Sequence, residues 1–174
     1  MQVSGRAHST LSRRDLVESL VFGIFFIGQV VLCFLFYDSA GLNVLLYLGW
    51  AILVLASFMG WGARVAFQRR GGAPEGESWI QTRFVVDSGI YGVVRHPMYL
   101  CFMLYIISLV FISQHWLSAI FGAPMIALLY LDMLEEEQSC IQKFGDEYKR
   151  YMQKVPRLNL LVGLIRALHR RNNS

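Results

Sequence analysis

Two groups of side chains that can do chemistry stand on either side of an apolar stretch in the second half of this sequence. The first lies in Tyr91–Tyr99, where a guanidinium, an imidazole and two phenols occur within nine residues. Pro97 directly precedes the apolar stretch, and proline is tolerated at the first position of a helix because that N–H has no intrahelical partner. We therefore predict a helix N-terminus at His96–Pro97, with Arg95 beside it. Such a positive end attracts anions, although basic residues at this position are also typical of anchors that contact lipid phosphate.

The second group is acidic. Three consecutive glutamates, Glu135–Glu137, follow the next apolar stretch, and Asp132 lies about one helical turn before Glu136. The plainer interpretation is a solvated helix end, and the alternative is a carboxylate site for a cationic ligand near the membrane surface. An anion-binding end and a cation-binding end together would fit a zwitterionic amino acid.

Four apolar segments must position these groups. More than half of the 174 residues are apolar and only 16% are charged, which is too apolar for an ordinary soluble domain. The segments are Leu16–Tyr37, Leu42–Ala63, Met98–Ser113 and Leu117–Leu134. The first two are long enough to cross a hydrocarbon core of roughly 30 Å, and we interpret the other two as a hairpin of spanning or nearly spanning helices. We predict one all-α, polytopic membrane domain over residues 1–174, with about four transmembrane helices.

The basic residues predict which side of the membrane each loop occupies. Of the 16 Lys and Arg residues, three precede the first apolar segment, five lie between the second and the third, and eight follow the fourth. The short opposite loops, 38–41 and 114–116, contain none. The positive-inside rule then places both termini and the long central loop in the cytoplasm. The positive charge thus indicates orientation and contact with membrane lipid, and a nucleic-acid partner is not expected.

A further helix is predicted beyond the glutamates. The apolar residues that recur there at helical spacing are Ile141, Phe144, Tyr148, Tyr151, Met152 and Val155. Charged residues occupy much of the remaining face. This pattern predicts an amphipathic cytoplasmic helix that lies either on the bilayer or against the central loop. Leu158–Leu168 is too short to cross the membrane and is predicted to be interfacial or re-entrant.

Several kinds of site are not supported by the sequence. Cys33, Cys101 and Cys140 are far apart and lack ligand spacing, so neither a disulfide framework nor a metal site is expected. The four histidines supply no facing pair for haem within the spans. The sequence also contains no glycine-rich phosphate loop and no recognisable nucleophile–histidine arrangement.

Four short motifs follow one another in the second half of the chain. They are Asp87–Tyr91 (DSGIY), Arg95–Tyr99 (RHPMY), Glu136–Glu137 and Phe144–Arg157 (FGDEYKRYMQKVPR). In this order and spacing they resemble the isoprenylcysteine carboxyl methyltransferase family, whose wider superfamily includes phospholipid N-methyltransferases. The resemblance implies a membrane enzyme that transfers a methyl group from S-adenosylmethionine to a membrane-embedded or lipophilic acceptor. It makes 80–157 the cofactor-binding methyltransferase part, preceded by a two-helix part over 1–70.

The resemblance also implies which residues form the cofactor pocket, when the family's pocket positions are transferred to the matching positions of this chain. They are Arg83, Phe84, Val85, Val86, Tyr91, His96, Pro97, Met98, Tyr99, Glu136 and Glu137. The helix start at His96 would receive the methionine carboxylate, and Glu136 the ammonium or another donor group. Arg95 and Glu136 are the expected catalytic residues, with Arg95 either orienting the loop or meeting the acceptor. Methyl transfer from a sulfonium to a nucleophilic acceptor needs mainly alignment and desolvation, so no general base is assigned.

The acceptor is predicted less closely than the methyl donor. Asp132 stands where members of the family often carry an arginine that meets the substrate. A basic residue suits a carboxylate acceptor, whereas an acid suits a cationic or neutral one. Asp132 is therefore a predicted substrate contact, and carboxyl methylation of an isoprenylcysteine-like substrate is one option among O-, N- and S-methylation.

Two other classes of protein are alternatives. Cys140–Gly145 is similar to a run in sterol reductases, which would imply an NADPH-dependent membrane reductase. Those proteins carry basic residues where this chain has Glu135–Glu137, and an acidic run repels a nicotinamide dinucleotide phosphate. A non-enzymatic membrane subunit or small transporter is the other alternative, although Asp132 alone offers no convincing ion path.

Overall fold

The computed structural model describes residues 13–70 and 84–172, and the secondary structure in these two parts is helical. Its six α-helices are α1 (Arg13–Leu35), α2 (Asn43–Arg70), α3 (Pro97–Ser113), α4 (Trp116–Phe144), α5 (Asp146–Lys154) and α6 (Leu160–Asn172). A short 3-10 turn, Gly89–Gly92, precedes α3, and no strand forms within the described ranges. The predicted all-α class is confirmed.

Two of the described helices are long and apolar enough to cross a membrane, as judged by length and composition. They are α2, over the 27 residues Asn43–Arg69, and α4, over 29 residues. Shorter apolar stretches occur at Leu20–Leu35, Pro97–Ser113 and Leu160–His169. Large apolar side chains such as Phe58 and Trp61 of α2 point away from the protein and are about three-quarters exposed. An extensive apolar exterior of this kind is typical of a membrane-facing or interaction surface.

The first four helices pack around small and medium-sized residues. Ile106 of α3 and Met125 of α4 are almost fully buried, and α1 joins them through Gln29, whose Nε2 donates to the Ile106 carbonyl at 2.9 Å. Two glycines bring α2 close to α3. A Cβ atom on Gly49 would lie 2.8 Å from Ile112, and one on Gly60 would lie 2.7 Å from the Cys101 sulfur. Small residues allow such close helix approach, which here holds α3 firmly in place.

The short loop between α3 and α4 is tied to the loop between α1 and α2. Gln114 ends α3 in the left-handed conformation, with φ of 52°. Its side-chain nitrogen donates to Asp38 at 2.8 Å and to the Leu42 carbonyl at 3.0 Å. Ser39 donates in turn to the carbonyl of Ser113 at 3.0 Å. These bonds fix one end of the bundle, opposite the end where α3 begins.

Helix α4 continues beyond Leu134, where the predicted fourth apolar segment stops, and ends at Phe144. The glutamates therefore lie inside a helix, at positions about 100° apart around its axis. The helix predicted over residues 141–155 is interrupted at Gly145, which has φ of 58° and separates α4 from α5. A positive φ of this kind is accessible to glycine at little cost.

Candidate active site

The site begins at the N-terminus of α3. Pro97 occupies the first turn and His96 is the N-cap, as the proline predicted, and the His96 side chain does not cap the helix itself. The backbone N–H of Arg95 donates to the Pro156 carbonyl at 3.0 Å, and that of His96 to the Arg157 carbonyl at 3.3 Å. The start of α3 is thereby fixed to the segment that follows α5, and its first-turn N–H groups give this end a positive potential.

A second wall comes from α2, the 3-10 turn and α5. Tyr91, in the 3-10 turn, is buried and packs against Phe67 of α2, with ring centroids 5.7 Å apart. Tyr151 of α5 donates its hydroxyl to the Tyr91 carbonyl at 2.7 Å. Tyr148 and Tyr151 are both buried, together with Val155 and the partly buried Val85. The apolar face of α5 therefore contacts the loop before α3.

The third wall is one face of α4. Glu136, Ser139, Cys140 and Lys143 recur at the spacing that places side chains on the same side of a helix. Because α4 continues through the glutamates, Glu136 and Lys143 lie two turns apart on this face.

These walls enclose a cavity of about 410 Å³, within the usual range for small-molecule sites. Its lining is mostly aromatic and apolar, with a few charged groups. The lining residues are Phe67, Phe84, Val85, Val86, Tyr91, Arg95, His96, Pro97, Met98, Tyr99, Glu136, Ser139, Cys140, Lys143, Phe144, Tyr148 and Tyr151. An apolar cavity with a few convergent polar groups is the usual form of a ligand-binding site.

A buried ion network lies next to the cavity and is centred on Glu137, which is only 3% exposed. Arg157 donates to both of its carboxylate oxygens, from Nε at 3.1 Å and from Nη2 at 2.6 Å. Arg95 Nη1 and His96 Nε2 each lie 3.1 Å from Oε1. One carboxylate thus joins α4 to the start of α3 and to the segment after α5.

Arg95 keeps unused donor capacity in this arrangement. Its side chain is 8% exposed and lines the cavity. Although Nη1 is close to Glu137, neither Nη1 nor Nε makes a hydrogen bond to any residue of the described ranges. A buried donor without an acceptor is costly. An anionic group in the cavity would therefore gain a charge-assisted hydrogen bond here.

Burial sets the protonation of four side chains around the cavity: it keeps His96 neutral and the phenols of Tyr91, Tyr148 and Tyr151 protonated. Burial lowers the pKa of His96, and this effect outweighs the neighbouring carboxylates, which raise it. A neutral imidazole that meets Glu137 through Nε2 must carry its proton there, so that this nitrogen donates to the carboxylate. Burial also raises the pKa of Tyr91, Tyr148 and Tyr151, so their phenols stay protonated at neutral pH.

The structure brings most of the predicted site residues together. Arg95 lines the cavity, and so do nine of the residues assigned to the cofactor. The nine are Phe84, Val85, Val86, Tyr91, His96, Pro97, Met98, Tyr99 and Glu136. Glu137 instead contacts the wall residues Arg95 and His96. Asp132 is exposed and is not part of the lining, although it lies one turn before Glu136. Arg83 falls outside the described residues.

Sequence reasoning missed Phe67, Ser139, Cys140, Lys143, Phe144, Tyr148 and Tyr151 as lining residues. A signal was present for part of this set. Counting three, four and seven residues on from Glu136 gives Ser139, Cys140 and Lys143, provided that the helix is allowed to continue past the glutamates.

Comparison with protein families agrees with the motifs. Residues 78–143 match the isoprenylcysteine carboxyl methyltransferase (ICMT) family. Over this segment the chain is similar to that family. The resemblance is therefore confirmed over the segment that contains the first three motifs, and the match supports a membrane methyltransferase in general. The fourth motif, Phe144–Arg157, lies beyond the matched residues. No curated protein sequence matches the chain.

The matched segment contains α3 and nearly all of α4, including Glu136 and the residues around His96. It stops before Phe144 and the two tyrosines of α5, which complete the cavity wall. Within residues 13–70 and 84–172, no group of three His, Cys, Asp or Glu side chains is placed to hold a metal ion.

Proposed function

We propose that the protein is an S-adenosylmethionine-dependent methyltransferase that lies in the membrane and acts on a lipophilic acceptor. One observation carries the proposal beyond the family match. The cavity holds a buried arginine with unused donors, Arg95, and also a carboxylate on the α4 wall, Glu136. An amino acid carboxylate and ammonium need these two kinds of partner, and aromatic walls suit an adenine ring.

The residues present fit such a cofactor. Arg95 and the backbone N–H groups at the start of α3 would hold the carboxylate, because both present donors at a positive helix end. Glu136 would hold the ammonium. Phe67, Phe84 and the neighbouring tyrosines supply apolar surface for the base and ribose. Glu137 would act indirectly, since it fixes Arg95 and His96 in the wall.

S-adenosylmethionine supplies an electrophilic methyl group on a sulfonium. The chain contributes alignment and exclusion of water, because a largely apolar cavity desolvates an attacking nucleophile. His96 donates from Nε2 to Glu137 and the buried phenols are protonated. No general base is assigned, because methyl transfer from a sulfonium to an acceptor that is already nucleophilic does not require one. An acceptor that is already ionised at neutral pH, such as a carboxylate, fits this site without further help.

The acceptor would reach the site from the bilayer. Apolar side chains of α4 are exposed, including Leu128 at 38% and Leu131 at 55%. We place the active site and both termini on the cytoplasmic side, with α1 to α4 crossing the membrane, because the basic residues avoid the opposite loops. An isoprenylcysteine-like carboxylate is the first acceptor to test. Asp132, exposed one turn before Glu136, makes lipid amines and thiols the necessary comparison.

Calorimetric titration with S-adenosylhomocysteine in detergent tests the cofactor. We expect micromolar binding to the wild-type protein and none to Glu136→Ala or His96→Ala. Glu135→Ala is the matched control, since it removes an adjacent exposed carboxylate that does not line the cavity, and it should bind normally. NADPH serves as the parallel ligand.

The possible results separate the function classes. Binding of NADPH alone would assign the protein to the reductases. Normal cofactor binding by both the Glu136→Ala and His96→Ala variants would mean that the site is misplaced. Binding of neither ligand by folded protein would favour a non-enzymatic membrane subunit. Once binding is established, methyl transfer from labelled cofactor to prenylcysteines, lipid amines and thiols identifies the acceptor.

A further inference from the structure

The last helix carries an apolar stripe that no described element covers. Leu161, Leu164, Ile165 and Leu168 of α6 recur at spacings of three and four residues, so they share one face of the helix. Their exposed fractions are 74%, 49%, 67% and 53%, respectively. The 13 residues of α6 span about 20 Å, too short to cross a hydrocarbon core of roughly 30 Å. The stripe therefore needs a partner that a short helix can meet from one side.

The orientation of α6 on the protein is fixed by a close backbone contact. Gly163 is buried, and a Cβ atom there would overlap the carbonyl oxygen of Val93. Only glycine allows the two backbones to approach this closely. Val93 lies between the cavity residues Tyr91 and Arg95, so α6 is held against the loop that builds the site. With this side of α6 committed to the protein, the leucine stripe faces outward.

Next to the stripe, α5 and α6 form a second cavity. It measures about 310 Å³ and is lined by Lys154, Ile165, Arg166 and His169. Its surface is almost wholly apolar, Lys154 and Arg166 stand exposed at its edge, and Ile165 belongs to both the stripe and the cavity. Cationic side chains beside an outward apolar stripe are the two components of a helix that lies in a membrane interface.

We propose that α6 docks on an anionic lipid leaflet, with its leucine stripe among the acyl chains and the exposed Arg166 near the lipid phosphates. Charge complementarity favours this occupant over a second copy of the chain, because two copies would bring the same cations together. The guanidinium of Arg166 would meet a lipid phosphate through its planar fork. The site is separate from the methyltransferase cavity and does not depend on the proposed activity.

The test uses the full-length protein in nanodiscs of neutral lipid and in nanodiscs containing an anionic phosphatidylglycerol fraction. Leu161→Cys, at the most exposed position of the stripe, is labelled with a charged, membrane-impermeant maleimide. We expect labelling to be about tenfold slower or more in the anionic discs, since each cation near such a surface strengthens association. Gln153→Cys, exposed on α5, should be labelled equally in both. Labelling of the native cysteines is measured in the wild-type protein and subtracted.

Charge variants test the role of Arg166. Arg166→Gln should abolish the difference between the two lipid mixtures at Leu161→Cys. Arg150→Gln, which removes an exposed arginine of α5 outside the second cavity, should preserve it. Equal labelling in both discs would overturn the proposal, and so would equal effects of the two arginine variants, which would indicate only general attraction. Thermal unfolding of each variant confirms that the fold is retained.

Discussion

Replacing Glu137 with alanine should destabilise the protein far more than the same change at Glu135, two residues earlier. Glu137 is 3% exposed and lies within 3.1 Å of Arg95 and His96. It also accepts two hydrogen bonds from Arg157. Its removal leaves Arg95, which is only 8% exposed, as a buried charge without its carboxylate. Glu135 is exposed on the same helix.

The size of the expected destabilisation follows from the burial of Glu137 and Arg95. Breaking a buried ion pair by removing one partner costs about 3–5 kcal/mol. For a chain of this size each kcal/mol corresponds to about 2–4 °C in Tm, so the expected loss is about 6–20 °C. Arg157 can turn towards water because its side chain is 35% exposed, which favours the lower part of this range. An exposed substitution such as Glu135→Ala should change the free energy of unfolding by about 0.5 kcal/mol at most.

Thermal unfolding in one detergent, followed by intrinsic fluorescence with the wild-type protein in parallel, measures the difference. Glu137→Gln is the informative intermediate, because it keeps the shape and hydrogen-bonding capacity while removing the charge. It should fall between the wild type and Glu137→Ala. If Glu137→Ala unfolds within about 2 °C of Glu135→Ala, the ion network does not stabilise the fold and the reasoning is refuted.

Three further predictions concern the same region. Gly163→Ala should lower Tm and weaken S-adenosylhomocysteine binding, because its Cβ would displace the Val93 carbonyl; normal unfolding and binding would show that α6 does not hold the loop. Tyr151→Phe should cost about 1–3 kcal/mol in thermal unfolding, because it leaves the buried Tyr91 carbonyl without its 2.7 Å hydrogen bond; an unchanged Tm would contradict that contact. Burial lowers the pKa of His96, so its contribution to stability should be complete above its ordinary value of about 6.5 and be lost as the pH falls below it. Tm measured from pH 8 to pH 5 should fall less in His96→Asn than in the wild type. Parallel curves would show that His96 does not cause the loss of stability at low pH.

The start of α3 could be predicted because the information is local. A proline ahead of an apolar run fixes a helix N-terminus by its own covalent structure, and Pro97 lies in the first turn as expected. The grouping of Tyr91, His96 and Tyr99 around one cavity follows from that start together with the family motifs. These inferences needed no knowledge of how the helices pack.

The different roles of Glu136 and Glu137 could not be predicted in the same way. Adjacent helical residues point about 100° apart, but the rotation of α4 about its axis is set by its packing against α1 and α3. That packing places Glu136 in the cavity and Glu137 beside Arg95. Phe67 was missed for a similar reason, because α2 continues beyond the apolar segment that defined its predicted end at Ala63.

The backbone hydrogen bonds from Arg95 to Pro156 and from His96 to Arg157 also bear on how the protein is made. Synthesis proceeds from the N-terminus, so α3 and α4 are made before the residues that close this end of the bundle exist. A nascent chain that stops short of Pro156 has Arg95 and Glu137 in place but not the second guanidinium of Arg157. Competence to bind a ligand should therefore arise late in synthesis, after α5 and its following segment have left the ribosome. Until then the backbone N–H groups of Arg95 and His96 lack the carbonyl partners that they have in the complete fold.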